Sequence, residues 1–172
     1  NLGLALADLG RIAEARGHVR HAYEILEQAG DSYRSAQSLG FRASIEDLAG
    51  NYVEAVRLQR RCLRSLRQLD GRVQATECLA ELSMHLARAG DLEDALPLAR
   101  QAWEECQRLG MAGLVPALRC RLAEVELRCG ERTSAIENAK RTLEAARSEK
   151  RTRIEADSHL ILAEAERTGG DP

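Results

Sequence analysis

The sequence predicts an all-α protein, a right-handed solenoid built from antiparallel helix pairs. A glycine recurs every 40 residues, apolar residues within each repeat follow the helical spacing i, i+3, i+4 and i+7, and only three prolines occur. A fixed period of this length indicates similar helical units, each burying its apolar face against its neighbours. The repeating glycines are Gly10, Gly50, Gly90, Gly130 and Gly170.

Each repeat is predicted to consist of a first helix, a tight turn at the glycine and a second helix. The first helices are expected at 33–49, 72–89, 114–129 and 152–168. The second helices are expected at 12–29, 52–69, 92–109 and 132–148. We expect a single solenoid over 1–172 that is a fragment of a larger protein, with repeats at about 1–31, 32–71, 72–111, 112–151 and a truncated 152–172.

The ends of the helices carry recognisable signals. Asn51 and Asp91 are expected to cap the second helices that follow them, and Glu54 would complete a capping box with Asn51. Pro97 falls inside a predicted helix and should remove one backbone hydrogen bond, whereas Pro116 falls in a first turn and is harmless there.

Small residues recur at one position of the first helices. Because two helices approach to about 8–9 Å only where the contacting residues are small, this column predicts close helix packing. It comprises Gly3, Ala43, Ser83, Ala123 and Ala163. A second small column in the second helices comprises Ala22, Cys62, Ala102 and Thr142.

Composition excludes several classes of protein. The net charge of −2 and the lack of a long apolar run argue against nucleic acid or membrane as a direct partner. The five cysteines are odd in number and lack metal-type spacing, which favours a reduced, cytoplasmic protein. His18 and His21 are too few for a zinc site. No phosphate-binding loop or nucleophile motif occurs, so we expect neither an enzyme nor a bound cofactor or metal.

The repeat resembles the tetratricopeptide repeat. The residues that carry the resemblance are Leu82 and Ser83, then Gly90 and Asp91, then Ala95. That family has about 34 residues per repeat, and the six additional residues here are expected between the second helix of one repeat and the first helix of the next. Longer repeats of this kind are similar to those of large bacterial transcription regulators, signalling ATPases, and Pins-type and kinesin-light-chain scaffolds.

The resemblance implies a protein-interaction module that binds a peptide or partner domain in a concave groove of first helices. It further implies the regulatory or scaffolding part of a larger bacterial signalling or transcription-regulator protein. Some family features are missing. The column equivalent to the groove asparagines of some scaffolds reads Leu4, Ser44, Met84 and Glu124, and Arg42 and Arg132 occupy columns that are usually apolar.

The predicted partner-binding groove mixes charges of both signs with apolar anchors, which suits an amphipathic helix or an extended peptide. The alternative is an ordinary solvated surface. The groove residues are predicted to be Phe41, Glu77, Glu81, Met84, Arg88, Arg121, Glu124 and Arg128, with Asp47 and Asp157 as further members. Cys120 could also face the groove and be reactive beside Arg121.

Three other functions stay open at this point. Self-association could use apolar residues of the terminal helix, namely Ile161, Leu162 and Ala165, giving a homodimer. A small-ligand sensor and an enzyme are further alternatives. An arginine stripe on one second helix could contact an acidic partner domain or nucleic acid, but a solvated outer face with acidic residues such as Glu54 nearby is favoured. Nucleic-acid-binding surfaces usually interleave aromatic residues with basic ones, and this stripe has none. The stripe comprises Arg57, Arg60, Arg61, Arg64 and Arg67.

Overall fold

The computed structural model describes residues 2–168, and this part of the chain is helical with short turns and no strand. The helices are α1 (Leu2–Asp8), α2 (Ile12–Gln28), α3 (Ser32–Leu48), α4 (Tyr52–Gln68), α5 (Arg72–Ala89), α6 (Leu92–Arg108), a 3₁₀ turn (Ala112–Leu114), α7 (Val115–Arg128), α8 (Arg132–Ser148) and α9 (Thr152–Thr168). The predicted all-α class is confirmed, and the predicted helix ends agree to within one residue.

The turns repeat every 20 residues and not only every 40. Gly10, Gly50, Gly90 and Gly130 have positive φ angles of 76°, 78°, 88° and 82°, as the glycine turn requires. A second series with positive φ joins one repeat to the next and comprises Gly30, Asp70, Gly110 and Lys150. Gly170 lies outside the described residues.

The predicted position of the additional residues is wrong. The connections 29–31, 69–71 and 149–151, which join one repeat to the next, are no longer than the glycine turns. The additional length lies instead in the helices, most of which have 17 residues. A longer helix has more helical turns that can pack against a neighbouring helix.

Capping follows the prediction at one helix and departs from it at another. The Asp91 side chain accepts a hydrogen bond from the backbone N–H of Asp94 and caps α6. Asn51 makes no capping bond to α4, because its side-chain amide donates to Glu46 over 2.8 Å, and Glu54 pairs with Arg57. Both proline predictions are confirmed: Pro97 lies inside α6, and Pro116 lies in the first turn of α7.

The chain divides into two compact units, Asn1–Cys78 and Leu79–Pro172. In the first unit, Leu6 and Ala7 of α1, Ala15 and Val19 of α2, and Ile45 of α3 form one apolar cluster. Helices α3 and α4 also pack against each other. Ala43 is fully buried in this unit, as its small-residue column predicts, but Ala22 is exposed.

In the second unit, α7, α8 and α9 form a cluster from Cys120, Ala123, Ala139 and Ile161. The small residues Ala123 and Thr142 are fully buried here, whereas Ala163 is exposed.

The residues suggested for self-association are placed differently from the prediction. Ile161 and Ala165 are buried in the packing of α9, and Leu162 is partly buried against the same cluster. The exposed large apolar residue of α9 is Leu160. Within residues 2–168, no helix is both long enough and apolar enough to cross a membrane.

Candidate functional site

A cluster of paired charges joins α5 to α7 in the second unit. Arg88 of α5 donates two hydrogen bonds to Glu124 Oε1 of α7, from Nη2 over 2.8 Å and from Nε over 3.2 Å. Arg128, one turn along α7, also pairs with Glu124 over 3.5 Å. Glu124 therefore holds two guanidinium groups, one from each helix.

A second pair lies on the same two helices. Arg121 of α7 donates to Glu81 Oε1 of α5 from Nε over 3.1 Å, and its Nη2 also contacts that oxygen. The Glu81 carboxylate raises the pKa of the Arg121 guanidinium. Because the two residues are 40 apart, they occupy the same position in consecutive repeats. Neighbouring first helices are thus joined by charges that alternate in sign.

We call these five residues, Glu81, Arg88, Arg121, Glu124 and Arg128, the α5–α7 charge cluster. Its side chains are between 23% and 37% exposed, with Arg128 the most exposed. Three arginines face two glutamates, which leaves one excess positive charge.

Met84, which is half-buried, adds an apolar side chain beside this cluster. It lies three residues after Glu81 and four before Arg88, so the three side chains share one face of α5. The structure therefore brings six of the eight predicted groove residues together on α5 and α7.

The remaining predicted residues, Phe41 and Glu77, belong to the first unit. Glu77 is half-buried. Phe41 is 37% exposed and lines a groove of about 400 Å³ between α1, α2 and α3. Asp47 was predicted to face the groove but is buried, with 6% of its surface exposed. Asp157, on α9 of the second unit, is half-buried.

The residues that line the Phe41 groove can be compared with their equivalents in the next repeat. Ala22 and Leu26 of α2 line it, and their equivalents in the next second helix, Cys62 and Leu66, are buried. Gly40 of α3 lies next to Cys62, since a Cβ atom on this glycine would be 3.5 Å from the Cys62 sulfur. The groove therefore corresponds to a place where helix packs on helix in the following repeat.

The expectation of a reactive Cys120 is wrong. Its side chain is 6% exposed, and burial raises the pKa of the Cys120 thiol to about 11. Its sulfur lies 3.9 Å from the Ser158 hydroxyl, while Asp157 disfavours the thiolate further. The thiol is therefore protonated at neutral pH and is a weak nucleophile. Arg121 is close enough to favour the thiolate, but its effect is smaller than that of burial.

The other candidates from the sequence are surface groups or core residues. His18 and His21 are exposed, and no group of three or more His, Cys, Asp or Glu side chains within 2–168 is arranged to hold a metal ion. The arginine stripe of α4 is exposed except for half-buried Arg61, and Arg57 pairs with Glu54 over 2.6 Å. Cys62 is buried as predicted, whereas Cys129 is half-buried.

Comparison with known proteins agrees with this architecture. Residues 1–68 match the family model of the tetratricopeptide repeat. No curated protein matches the chain. Several solved structures share the fold. One is aspartyl phosphate phosphatase F from Bacillus subtilis, with a TM-score of 0.75, 12% identity, and coverage of 93% of this chain and 42% of that chain.

A second structure is a signal transduction ATPase with numerous domains and a tetratricopeptide repeat sensor from Pyrococcus horikoshii. Its TM-score is 0.73 at 17% identity, covering 93% of this chain and 25% of that one. A third is the putative kinesin light chain of Podosopora anserina with TPR-like repeats, with a TM-score of 0.71, 18% identity, and coverage of 98% and 84%. The chain thus spans less than half the length of the first two structures.

Proposed function

We propose that the chain is a tetratricopeptide-repeat protein, because residues 1–68 match that family model and the fold is shared with TPR-like repeats. We propose that it is a protein-interaction module that binds a peptide or a partner domain at its first helices. We further propose that the module is non-catalytic, acts in the cytoplasm and is the regulatory or scaffolding part of a larger bacterial signalling or transcription-regulator protein. The name of one structure with this fold, a signal transduction ATPase, supports a role in signalling.

The α5–α7 charge cluster is the observation that carries this proposal. Its ion pairs hold five long side chains in place, so that less side-chain entropy is lost when a partner binds. Arg128 pairs with Glu124 at the long distance of 3.5 Å and is the most exposed member of the cluster. It is therefore the group best able to bind a carboxylate of a partner.

The chemistry of the expected partner follows from this arrangement. An apolar side chain would contact Met84, and an acidic side chain one or two turns away would reach Arg128. We propose that the contacting residues in the second unit are Glu81, Met84, Arg88, Arg121, Glu124 and Arg128. Phe41 and Glu77 are proposed separately, as contact residues of the first unit. Self-association through the terminal helix is less well supported, because two of the residues suggested for it, Ile161 and Ala165, are buried.

The test compares two charge reversals with wild type. Arg128→Glu places an acid in the cluster, while Arg108→Glu places the same acid on α6, at an exposed arginine outside the cluster. Proteins captured from a cell lysate by the wild-type chain are identified, and the affinity of each purified candidate is then measured by calorimetry. We expect Arg128→Glu to weaken binding at least tenfold and Arg108→Glu to leave it unchanged, with both variants unfolding at the wild-type temperature.

Met84→Gln provides an independent arm, since it removes the apolar anchor without changing charge. It should weaken the same partner about tenfold. A partner that binds wild type, Arg128→Glu and Met84→Gln with equal affinity would show that α5 and α7 do not form the binding site.

A further inference from the structure

A small cavity in the first unit, away from the α5–α7 charge cluster, is lined by three arginines. It measures about 150 Å³ and lies between α2 and α3. Its lining residues are Arg16, Arg20, Arg42, Ile45 and Glu46. Guanidinium groups repel one another, so three of them around one small space favour the binding of an anion between them.

Glu46 is the acidic residue of this lining, and its carboxylate is already occupied. Arg16 forms a bidentate pair with it, from Nε over 2.8 Å and from Nη2 over 2.6 Å. The Asn51 amide donates to the same carboxylate over 2.8 Å. The pKa of Glu46 is lowered chiefly by the bond from Arg16, so Glu46 is ionised at neutral pH but neutralises only one of the three cations.

Arg20 is weakly paired. Its Nε lies 4.0 Å from Glu24 Oε1, the limit for an ion pair, and both side chains are largely exposed. An exposed pair of this kind contributes little, and its arginine can turn toward a better acceptor.

Arg42 has a half-buried side chain and lies over the ring of Tyr23, with its guanidinium carbon 5.7 Å from the ring centroid. In the part of the chain that the structure describes, its guanidinium makes no hydrogen bond or ion pair. The repeat column of Arg42 otherwise holds leucine, as at Leu2, Leu82 and Leu122. The charge of Arg42 acts on Glu54, whose pKa it helps to lower, but the guanidinium donates no hydrogen bond to a described group and is therefore available to an anion in the cavity.

We propose that the cavity between α2 and α3 binds a phosphate monoester dianion through Arg16, Arg20 and Arg42. The planar guanidinium fork matches two oxygens of a phosphate, and two such forks with a third positive charge nearby balance a dianion. Ile45 gives the cavity one apolar wall, which lowers the local dielectric and strengthens each charge-assisted bond. The phosphate can be carried by a phosphorylated side chain of a partner or by a phosphorylated metabolite.

The first experiment titrates the purified chain with inorganic phosphate at constant ionic strength and follows backbone amides by NMR. We expect saturable shifts at α2 and α3 around the cavity. Arg42→Met, which keeps the apolar stem, should weaken phosphate binding about tenfold, the amount expected from losing one charged hydrogen bond. Arg34→Met is the matched control, because Arg34 lies on the same helix and is 71% exposed, pairing only with nearby Asp31.

Glu46→Gln provides a change in the opposite direction, since removing the acid increases the net positive charge of the cavity. It should tighten phosphate binding, and thermal unfolding of each variant checks that the fold is intact. Shifts that do not saturate, equal weakening by Arg34→Met and Arg42→Met, or no tightening in Glu46→Gln would each overturn the proposal.

A final arm distinguishes the source of the phosphate. A phosphoserine peptide and a sugar phosphate are titrated under the same conditions as inorganic phosphate. Tighter binding of the peptide supports a phosphorylated partner protein, and tighter binding of the sugar phosphate supports a metabolite. Equal binding by the unphosphorylated peptide would contradict a site for phosphate.

Discussion

Arg132, the first residue of α8, donates a hydrogen bond from Nε to the backbone carbonyl oxygen of Ala165, 2.7 Å away in α9. Since α9 ends at Thr168, the Ala165 carbonyl is one of the last four, which receive no backbone N–H from their own helix. The Thr168 hydroxyl also donates to it, over 3.2 Å. The positive charge also lies at the negative end of the helix dipole. Arg132 thus caps a neighbouring helix, which explains an arginine in a column that is usually apolar.

We predict that Arg132→Met lowers the free energy of unfolding by about 1 kcal/mol, because the apolar stem is kept but the Ala165 carbonyl loses its charged donor and retains only the Thr168 hydroxyl. Urea unfolding followed by circular dichroism measures this change. Arg153→Met removes an exposed arginine from the first turn of α9 and should have little effect. Equal losses from the two substitutions would indicate a general effect of charge and not a cap.

The helix ends could be predicted from the sequence almost to the residue, but the left-handed turn conformation could be predicted for only half of the connections. The turn glycines at 40-residue intervals, such as Gly50 and Gly90, are visible because glycine is the residue that enters positive φ without strain. The second series of turns cannot be recognised from glycine alone, since Asp70 and Lys150 take the same left-handed conformation with φ of 53° and 56°. Local hydrogen bonds at the helix ends hold that conformation, since Gly71 N–H donates to the Leu66 carbonyl and Arg151 N–H to the Ala146 carbonyl.

This strain leads to a prediction for Lys150. A residue other than glycine in the left-handed region costs about 1–2 kcal/mol, part of which is offset because glycine gains more entropy in the unfolded chain. Lys150→Gly should therefore raise the free energy of unfolding by about 0.5 kcal/mol. Lys140→Gly makes the same substitution inside α8 and should instead lower it by about 1 kcal/mol. Chemical denaturation of both variants measures these changes. A lower free energy of unfolding for Lys150→Gly would contradict the prediction.

A buried carboxylate predicts how stability depends on pH. Glu126 of α7 is buried and accepts a hydrogen bond from Asn138 over 2.8 Å. Burial raises the pKa of Glu126 above its usual value of 4.5, an effect that Asn138 and Arg100 oppose and that Glu131 and Glu137 reinforce. The folded state therefore holds this proton more tightly than the unfolded state, and stability is lost as the pH rises through the folded-state pKa.

Glu126→Gln removes this titration while keeping a side chain of the same size. We expect the variant to gain stability relative to wild type as the pH rises from 4.5 toward 7, with the difference disappearing below pH 4.5. Urea unfolding at several pH values measures it. Glu144→Gln, at an exposed residue of α8 that is not among the groups acting on Glu126, is the control and should not reproduce the trend. A stability difference that is constant with pH would contradict the assignment to Glu126.

The pairing within the candidate site was only partly accessible from the sequence. Glu81 and Arg121 carry opposite charges at the same position of consecutive repeats, so their pairing could have been inferred from the period. The contact of Arg88 with Glu124 crosses between two columns, four positions off the 40-residue period, and depends on how far neighbouring helices are offset. Burial of Cys120 was missed because the sequence alone did not determine which face of α7 packs against α9.

Two glycines inside helices test the close packing predicted from small residues. Gly17 lies within α2 with no atom within 4 Å of an added Cβ, whereas at Gly40 in α3 the added Cβ would be 3.5 Å from the Cys62 sulfur and 3.8 Å from Gln59 Oε1. Both distances are ordinary van der Waals contacts. Gly17→Ala should raise the free energy of unfolding by about 1 kcal/mol through helix propensity alone.

Gly40→Ala should stabilise the protein by at least as much as Gly17→Ala, because the methyl group adds a buried contact with α4 to the same gain in propensity. Gly40→Leu is the opposing variant, since a larger side chain has to displace Cys62 and should be destabilising by about 1–3 kcal/mol. Thermal and urea unfolding of the three variants measure these effects. If Gly40→Ala were less stable than wild type, the contact between α3 and α4 would require glycine itself, and the small residues of these helices would be limiting their separation.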